Sequence, residues 1–176
     1  MILIGVNCWT DGWLQSDAED MTNDQPVPVL VRLDIDTVAP HFAKALAHLD
    51  NAMVRELDAV RFDARLRELV RMRASQLNGC SYCVELHSTD AVKAGDTAAR
   101  IAAVAVWRES SLFTARERAA LTVTESITRA SETHVPDADW AAAAQLFSPE
   151  ELGALVALIV TINAWNLVGV STHAWV

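Results

Sequence analysis

Positive charge is scarce in this chain. Fourteen Lys and Arg stand against 23 Asp and Glu, for a formal net charge of -9. Nucleic-acid binding needs clustered Lys and Arg against the phosphates, so that class is set aside. The arginines in the first half fall at Arg55, Arg61, Arg65, Arg67, Arg71 and Arg73, interleaved with Glu56, Asp58, Asp63 and Glu68. On a helix that pattern is a solvated, salt-bridged face. A glycine-rich phosphate loop is also missing, so no nucleotide cofactor is expected. The opening MILIGV is too short for a secretion core and has no basic residue ahead of it, so a cytoplasmic location is expected. No run alternates with period two beyond a few residues, the stretch VPVLVRL being the one candidate exception. No linker divides the chain, and no internal repeat is present beyond generic helix pairs.

What is abundant is apolar. Hydrophobic residues make up 52% of 176 residues, enough for one domain with a real core. The chain reads as helix after helix. Asp36 or Thr37 can cap a first helix through HFAKALAHLDNAMVREL, with Pro40 in its first turn. Asp63 can cap the next, ARLRELVRMRASQL, whose Leu66, Leu69, Val70, Ala74 and Leu77 share a face. Asn78-Gly79 breaks it. A third helix starts near Cys80 and ends at Gly95, and a fourth runs from Asp96 or Thr97 through Trp107. Thr114 and Glu117 form a capping box for a fifth, ARERAALTVTESITRA. Asp137 caps a short sixth. Ser148-Pro149-Glu150-Glu151 opens the last. Leu152 to Val170 is long and apolar enough to raise the question of a membrane. Thr161, Asn163 and Asn166 interrupt it and no Lys or Arg anchors it, so a core or subunit-interface helix is expected. The aromatic residues Trp107, Phe113, Trp140, Phe147 and Trp165 are expected to pack a core and an interface. Residues 1–35 read as an extension and lead-in, and residues 36–176 as one all-α domain. Within the extension, Met21 reads like an ordinary start, so residues 1–20, Cys8 among them, are expected to lie upstream of the natural start or to form a dispensable extension.

Cysteine is sparse too, at three residues, yet two of them stand together in NGCSYCVELH. Cys80 falls at a helix N-terminus and Cys83 one turn in. Unpaired N–H groups and the positive end of the helix dipole favour a thiolate there. His87 follows Cys83 by four residues and shares its face, where an imidazole can take and return a thiol proton. Glu68 lies on the preceding helix. A tight turn between the two helices would bring it back beside His87. This set suits two-electron thiol chemistry, in which one thiolate attacks an O–O bond or a disulfide and the second cysteine resolves the product. Two other readings stay open. Cys80, Cys83 and His87 supply three metal ligands, and Cys8 or Glu68 would have to be the fourth that zinc requires. No second CxxC or HxxxH is present, so no metal is expected. The cysteines can also be two small buried hydrophobes. Tyr82 between them is expected to pack, with its hydroxyl available as a donor.

The stretch ELVRMRASQLNGCSYCVELHSTDAVKAG resembles the AhpD-like alkylhydroperoxidase group of the carboxymuconolactone decarboxylase superfamily. The similarity continues through VWRESSLFTARERAALTVTESIT and VPDADWAAAAQLFSPEELGALVALIVTINAWN, covering roughly residues 36–170. The resemblance implies an all-helical domain of about six to seven helices, assembling as a homo-oligomer (dimer, trimer or hexamer). It implies thiol peroxidase activity, with a peroxide substrate and an external thiol or dithiol reductant. By motif position it implies Cys83 as the attacking cysteine, Cys80 as the resolving one, and Glu68 and His87 as the proton relay. Helix-terminus position alone would favour Cys80 as the more acidic thiol, whereas the His87 spacing favours Cys83. Two departures stand out. Tyr82 occupies a position that often holds a histidine, and Leu167 follows NAWN where an arginine is common. The superfamily's lactone decarboxylases generally lack a CxxC pair, so decarboxylation is not expected here.

Overall fold

The computed structural model describes residues 26–175. Met21, Cys8 and the first twenty residues lie outside the described residues. Among the described residues the chain is all-α, with nine helices and no strand. Six or seven were expected. The surplus is two single-turn helices, α1 (Ile35–Val38) and α7 (Ala130–Thr133). The longer ones are α2 (Pro40–Ala59), α3 (Ala64–Asn78), α4 (Ser81–Lys93), α5 (Ala98–Ala103), α6 (Ala115–Thr128), α8 (Asp137–Ala144) and α9 (Pro149–Thr172). Residues 27–33, the candidate strand, form no ladder.

Helix boundaries follow local chemistry, with three corrections to the expectations above. Neither Asp36 nor Thr37 caps α2. Asp34 caps α1 instead, accepting from the backbone of Asp36 and Thr37. Pro40 disfavours helical backbone at Ala39 (φ -135°, ψ 56°), so the chain breaks there and α2 begins afresh at the proline. Asp137 is the first residue of α8 rather than its cap, and Pro136 holds the cap position. The fourth predicted helix stays α-helical only to Ala103. It then tightens into a 3₁₀ segment, Val104–Glu109, where Val106 leaves helical geometry. Both capping boxes form as read, Thr114 with Glu117 and Ser148 with Glu151.

The core is built around α9. Its Leu155, Leu158 and Ile159 are fully buried, together with Leu57 of α2, Val70 of α3 and Val123 of α6. Each such side chain stabilises the fold by about 1.5–3 kcal/mol relative to exposure. The helix is long and apolar enough to cross a membrane; here one side of it packs against α2, α3 and α6, while Val160 and Leu167 are exposed. Two of its polar interruptions find partners on α3: Asn78 Nδ2 donates to Asn163 Oδ1 at 2.7 Å, and Ser75 Oγ donates to Asn166 Oδ1 at 3.0 Å. Thr161 Oγ1 and Asn166 Nδ2 are buried without a hydrogen-bond partner among the described residues. Phe62 stacks on Phe147 at 5.9 Å, and a second cluster gathers Leu69, Met72, Trp107 and Phe113. Trp140, by contrast, is exposed.

Most of the arginine face of α3 is tied down. Arg67 pairs with Asp58 at 2.7 Å, and Arg73 reaches Glu125 of α6 at 2.7 Å. Glu125 also accepts from Trp107 Nε1 and Arg108 Nη2, each at 2.8 Å, and so joins α3, the 3₁₀ segment and α6. Burial alone would raise its pKa. The bonds from Trp107, Arg108 and Arg73 outweigh that and hold the carboxyl below its ordinary 4.5. Its charge therefore stabilises the fold above that pH, and the contribution is lost as pH falls through the lower folded value. Glu125→Gln should cost about 2 kcal/mol at neutral pH. Urea unfolding against pH should show the gap between the two proteins closing below pH 4.5. A gap that does not change with pH would mean the charge contributes nothing.

Candidate active site

Gly79 ends α3 in the left-handed conformation (φ 72°), which glycine adopts without strain. One residue later α4 begins. Cys80 is its N-cap, with Sγ accepting from Cys83 N at 3.4 Å and its own backbone N donating to Ser75 O at 3.0 Å. The short turn folds α4 back along α3. Cys80 and Cys83, with Cα atoms 5.3 Å apart, are joined as a disulfide, and each is 3% exposed. In this form the ligand set of both cysteines with His87 is not available to a metal, because zinc takes thiolates.

All four residues picked from sequence come together. His87 sits one turn beyond Cys83 and is buried. Its Nδ1 lies 2.9 Å from Glu68 Oε2 on α3. A carboxylate only accepts, so Nδ1 carries the proton and Nε2 is left as the acceptor nitrogen. Arg71 Nη1 donates to the other Glu68 oxygen at 2.6 Å. Glu68 is thus held from two sides, and it fixes the imidazole in turn. Ligand atoms of Glu68, His87 and Asp90 lie within 4.8 Å of one another. These are the residues that would face a cation, though Glu68 is already engaged by Arg71 and His87.

Cys83 and His87 line a cavity of about 470 Å³ between α2, α4, α9 and the C-terminal segment. Met53, Leu86, Ile162, Trp165 and Trp175 give it apolar walls, while Asp50, Arg71 and Asp90 supply charge. Trp165 Nε1 donates to Asp50 Oδ1 at 3.2 Å and meets the Trp175 ring edge-on at 5.6 Å. Tyr82 also packs against Trp175, with ring centroids 5.8 Å apart.

Several of these residues were not picked from sequence. Arg71 was read as part of a solvated face, yet its side chain is 16% exposed and points to Glu68; the i,i+3 spacing was the available signal. Trp165 was placed in a core or interface and instead walls the cavity. Nothing local marks Asp50 or Trp175, which are far from the CxxC in sequence.

Residues 40–126 match the carboxymuconolactone decarboxylase family. The uncharacterized protein YdfG of Bacillus subtilis is 36% identical over 105 residues, covering 60% of this chain and 71% of YdfG. The uncharacterized protein YnjA of Escherichia coli is 35% identical over 105 residues, 60% of this chain and 56% of YnjA. A crystal structure from Agrobacterium tumefaciens superposes with a TM-score of 0.77 at 30% identity, covering 82% of this chain and 97% of that one. That protein is of unknown function and has been suggested to be the antioxidant defence protein AhpD. The debrominase Bmp8 superposes with a TM-score of 0.65 at 22% identity, covering 78% of this chain and 72% of that one; this likeness speaks to the fold alone. The matched segment carries the Glu68, Cys80, Cys83 and His87 constellation, and the chain belongs to the carboxymuconolactone decarboxylase family, on its AhpD-like branch.

Proposed function

We propose that this protein is a thiol peroxidase that reduces hydroperoxides through Cys83 and Cys80. The observation that carries the reading is Cys83 in an apolar-walled cavity with His87, whose proton-bearing nitrogen is held by buried Glu68. In the reduced enzyme His87 takes the Cys83 proton. The thiolate attacks the peroxide O–O bond, leaving a sulfenic acid on Cys83, and His87 returns the proton to the departing alkoxide. The Cys80 thiol then displaces water from the sulfenic acid, and the disulfide closes. Two electrons have left the dithiol, and an external dithiol or two external thiols must replace them.

Met53, Leu86, Ile162 and the two tryptophans favour an organic hydroperoxide over hydrogen peroxide. The test is direct. Reduced protein freed of reductant receives about one equivalent of cumene hydroperoxide, and intact mass is followed with time. The expected product has lost two hydrogens, and cumene hydroperoxide should react faster than hydrogen peroxide. No oxidation on the timescale of a catalytic cycle would remove peroxide as substrate. A protein that oxidises only with small disulfides would be a thiol–disulfide exchanger instead.

A further inference from the structure

The two sulfurs of the disulfide do not face the same space. Cys83 lines the larger cavity, while Cys80 lines a second one of about 280 Å³. Tyr82 and Trp175 line both and form the partition between them. The second cavity is walled by Val29 of the lead-in, by Gly169 and Val170 at the end of α9, and by His173. A Cβ on Gly169 would stand 3.2 Å from Cys80 Sγ and 3.4 Å from the Trp175 ring, so a glycine here keeps that sulfur clear.

His173 is held in place. Its Nδ1 lies 3.2 Å from the Leu30 carbonyl oxygen. A carbonyl accepts, so Nδ1 carries the proton and Nε2 is an acceptor. The backbone around it is also tied, with Arg32 N and Leu33 N donating to Thr172 O at 2.8 and 3.1 Å.

We infer that the cavity beside Cys80 is where a low-molecular-weight thiol enters to reduce the disulfide, with His173 as its base. This rests on the dithiol cycle proposed above, and it adds a second, separate route for the reductant. His173 takes the proton of the incoming thiol. The thiolate attacks Cys80 Sγ, the Cys80–Cys83 bond breaks, and Cys83 leaves as a thiolate beside His87. A second thiol, on the same molecule or another, loses its proton to solvent and attacks the mixed disulfide at the reductant's sulfur as a thiolate. Cys80 departs and recovers the proton held by His173, and the reductant leaves as its own disulfide. Attack in this direction regenerates the thiolate at Cys83, the cysteine that the peroxide cavity exposes. Oxidant and reductant then need never share a cavity.

The test separates the two half-reactions. Protein oxidised with diamide is mixed with dithiothreitol, and acid-quenched samples are alkylated and weighed. Val29 is exposed at the rim of the Cys80 cavity and Leu86 partly exposed at the rim of the Cys83 cavity. Val29→Trp should slow reduction about tenfold and leave oxidation by cumene hydroperoxide unchanged; Leu86→Trp should do the reverse. His173→Asn, which tolerates the left-handed backbone at that position (φ 52°), should also slow only reduction. Because Trp175 borders both cavities, a merely loosened tail would disturb both half-reactions, and that result would remove His173 as the base. Reduction unaffected by Val29→Trp, or slowed by Leu86→Trp, would overturn the separate route. If no variant reacts with peroxide, the peroxidase reading fails, and the dithiothreitol rates still decide the route of reduction.

Discussion

Replacing Cys83 with serine is expected to abolish peroxide consumption, with a loss of about three orders of magnitude or more. A serine hydroxyl beside His87 is not a nucleophile toward an O–O bond, and Cys80 cannot take over. Cys80 Sγ lies against Gly169, and Cys80 lines the second cavity rather than the one that holds His87. Cys80→Ser should behave differently. The first attack survives, the sulfenic acid finds no resolving thiol, and a single oxygen is gained instead of two hydrogens lost. Intact mass after one addition of hydroperoxide separates the two, with a dimedone trap confirming the sulfenic acid. A trapped sulfenic acid in Cys83→Ser and none in Cys80→Ser would reverse the roles. Position alone gives that outcome a physical basis, because Cys80 is the residue at the helix N-cap. The cavity geometry is what turns the expectation toward Cys83.

The second large effect is expected at Glu68. Glu68→Gln changes little in shape but removes the only negative charge shown contacting Arg71 Nη1 and His87 Nδ1. Breaking a buried pair from one side costs about 3 kcal/mol, since the partner's charge stays behind. The catalytic consequence is separate. An amide NH₂ turned toward Nδ1 would donate to it and push the imidazole proton to Nε2, the nitrogen needed to accept from Cys83. A wrong tautomer of this kind leaves geometry intact and removes the base. The rate of sulfenic acid formation should fall about a hundredfold, while thermal unfolding of the oxidised protein reports the stability loss independently. A variant that loses stability but oxidises at the wild-type rate would show that Glu68 is only a structural partner.

Much of this arrangement was legible in the sequence, for identifiable reasons. The capping boxes at Thr114 and Ser148 and the break at Gly79 are local signals, set by side chains within four residues of the backbone they satisfy. The Glu68–His87 contact was legible because the turn at Gly79 is so short that α4 has little choice but to fold back along α3. Where expectation failed, distance or competition explains it. Asp36 and Thr37 looked like caps, but Pro40 set the helix start instead. The cavity walls come from Asp50, Trp165 and Trp175, which meet only after α2, α9 and the C-terminal segment have packed. Arg71 shows the same limit in one residue. Its spacing to Glu68 was visible, but whether that face meets water or α4 depends on tertiary packing.

Cys80 holds two posts at once, and this decides which substitution is informative there. Its sulfur closes the disulfide and also receives the Cys83 N–H at the head of α4. Alanine would vacate both posts. Losing an N-cap costs about 1 kcal/mol, and the turn it loosens is the one that carries Cys83. An alanine variant would then be slow for reasons unrelated to resolving the sulfenic acid. Serine vacates only one post, since its hydroxyl is among the favoured acceptors at that position. A difference in rate of first oxidation between Cys80→Ala and Cys80→Ser would therefore measure how much the nucleophile depends on the helix end that positions it.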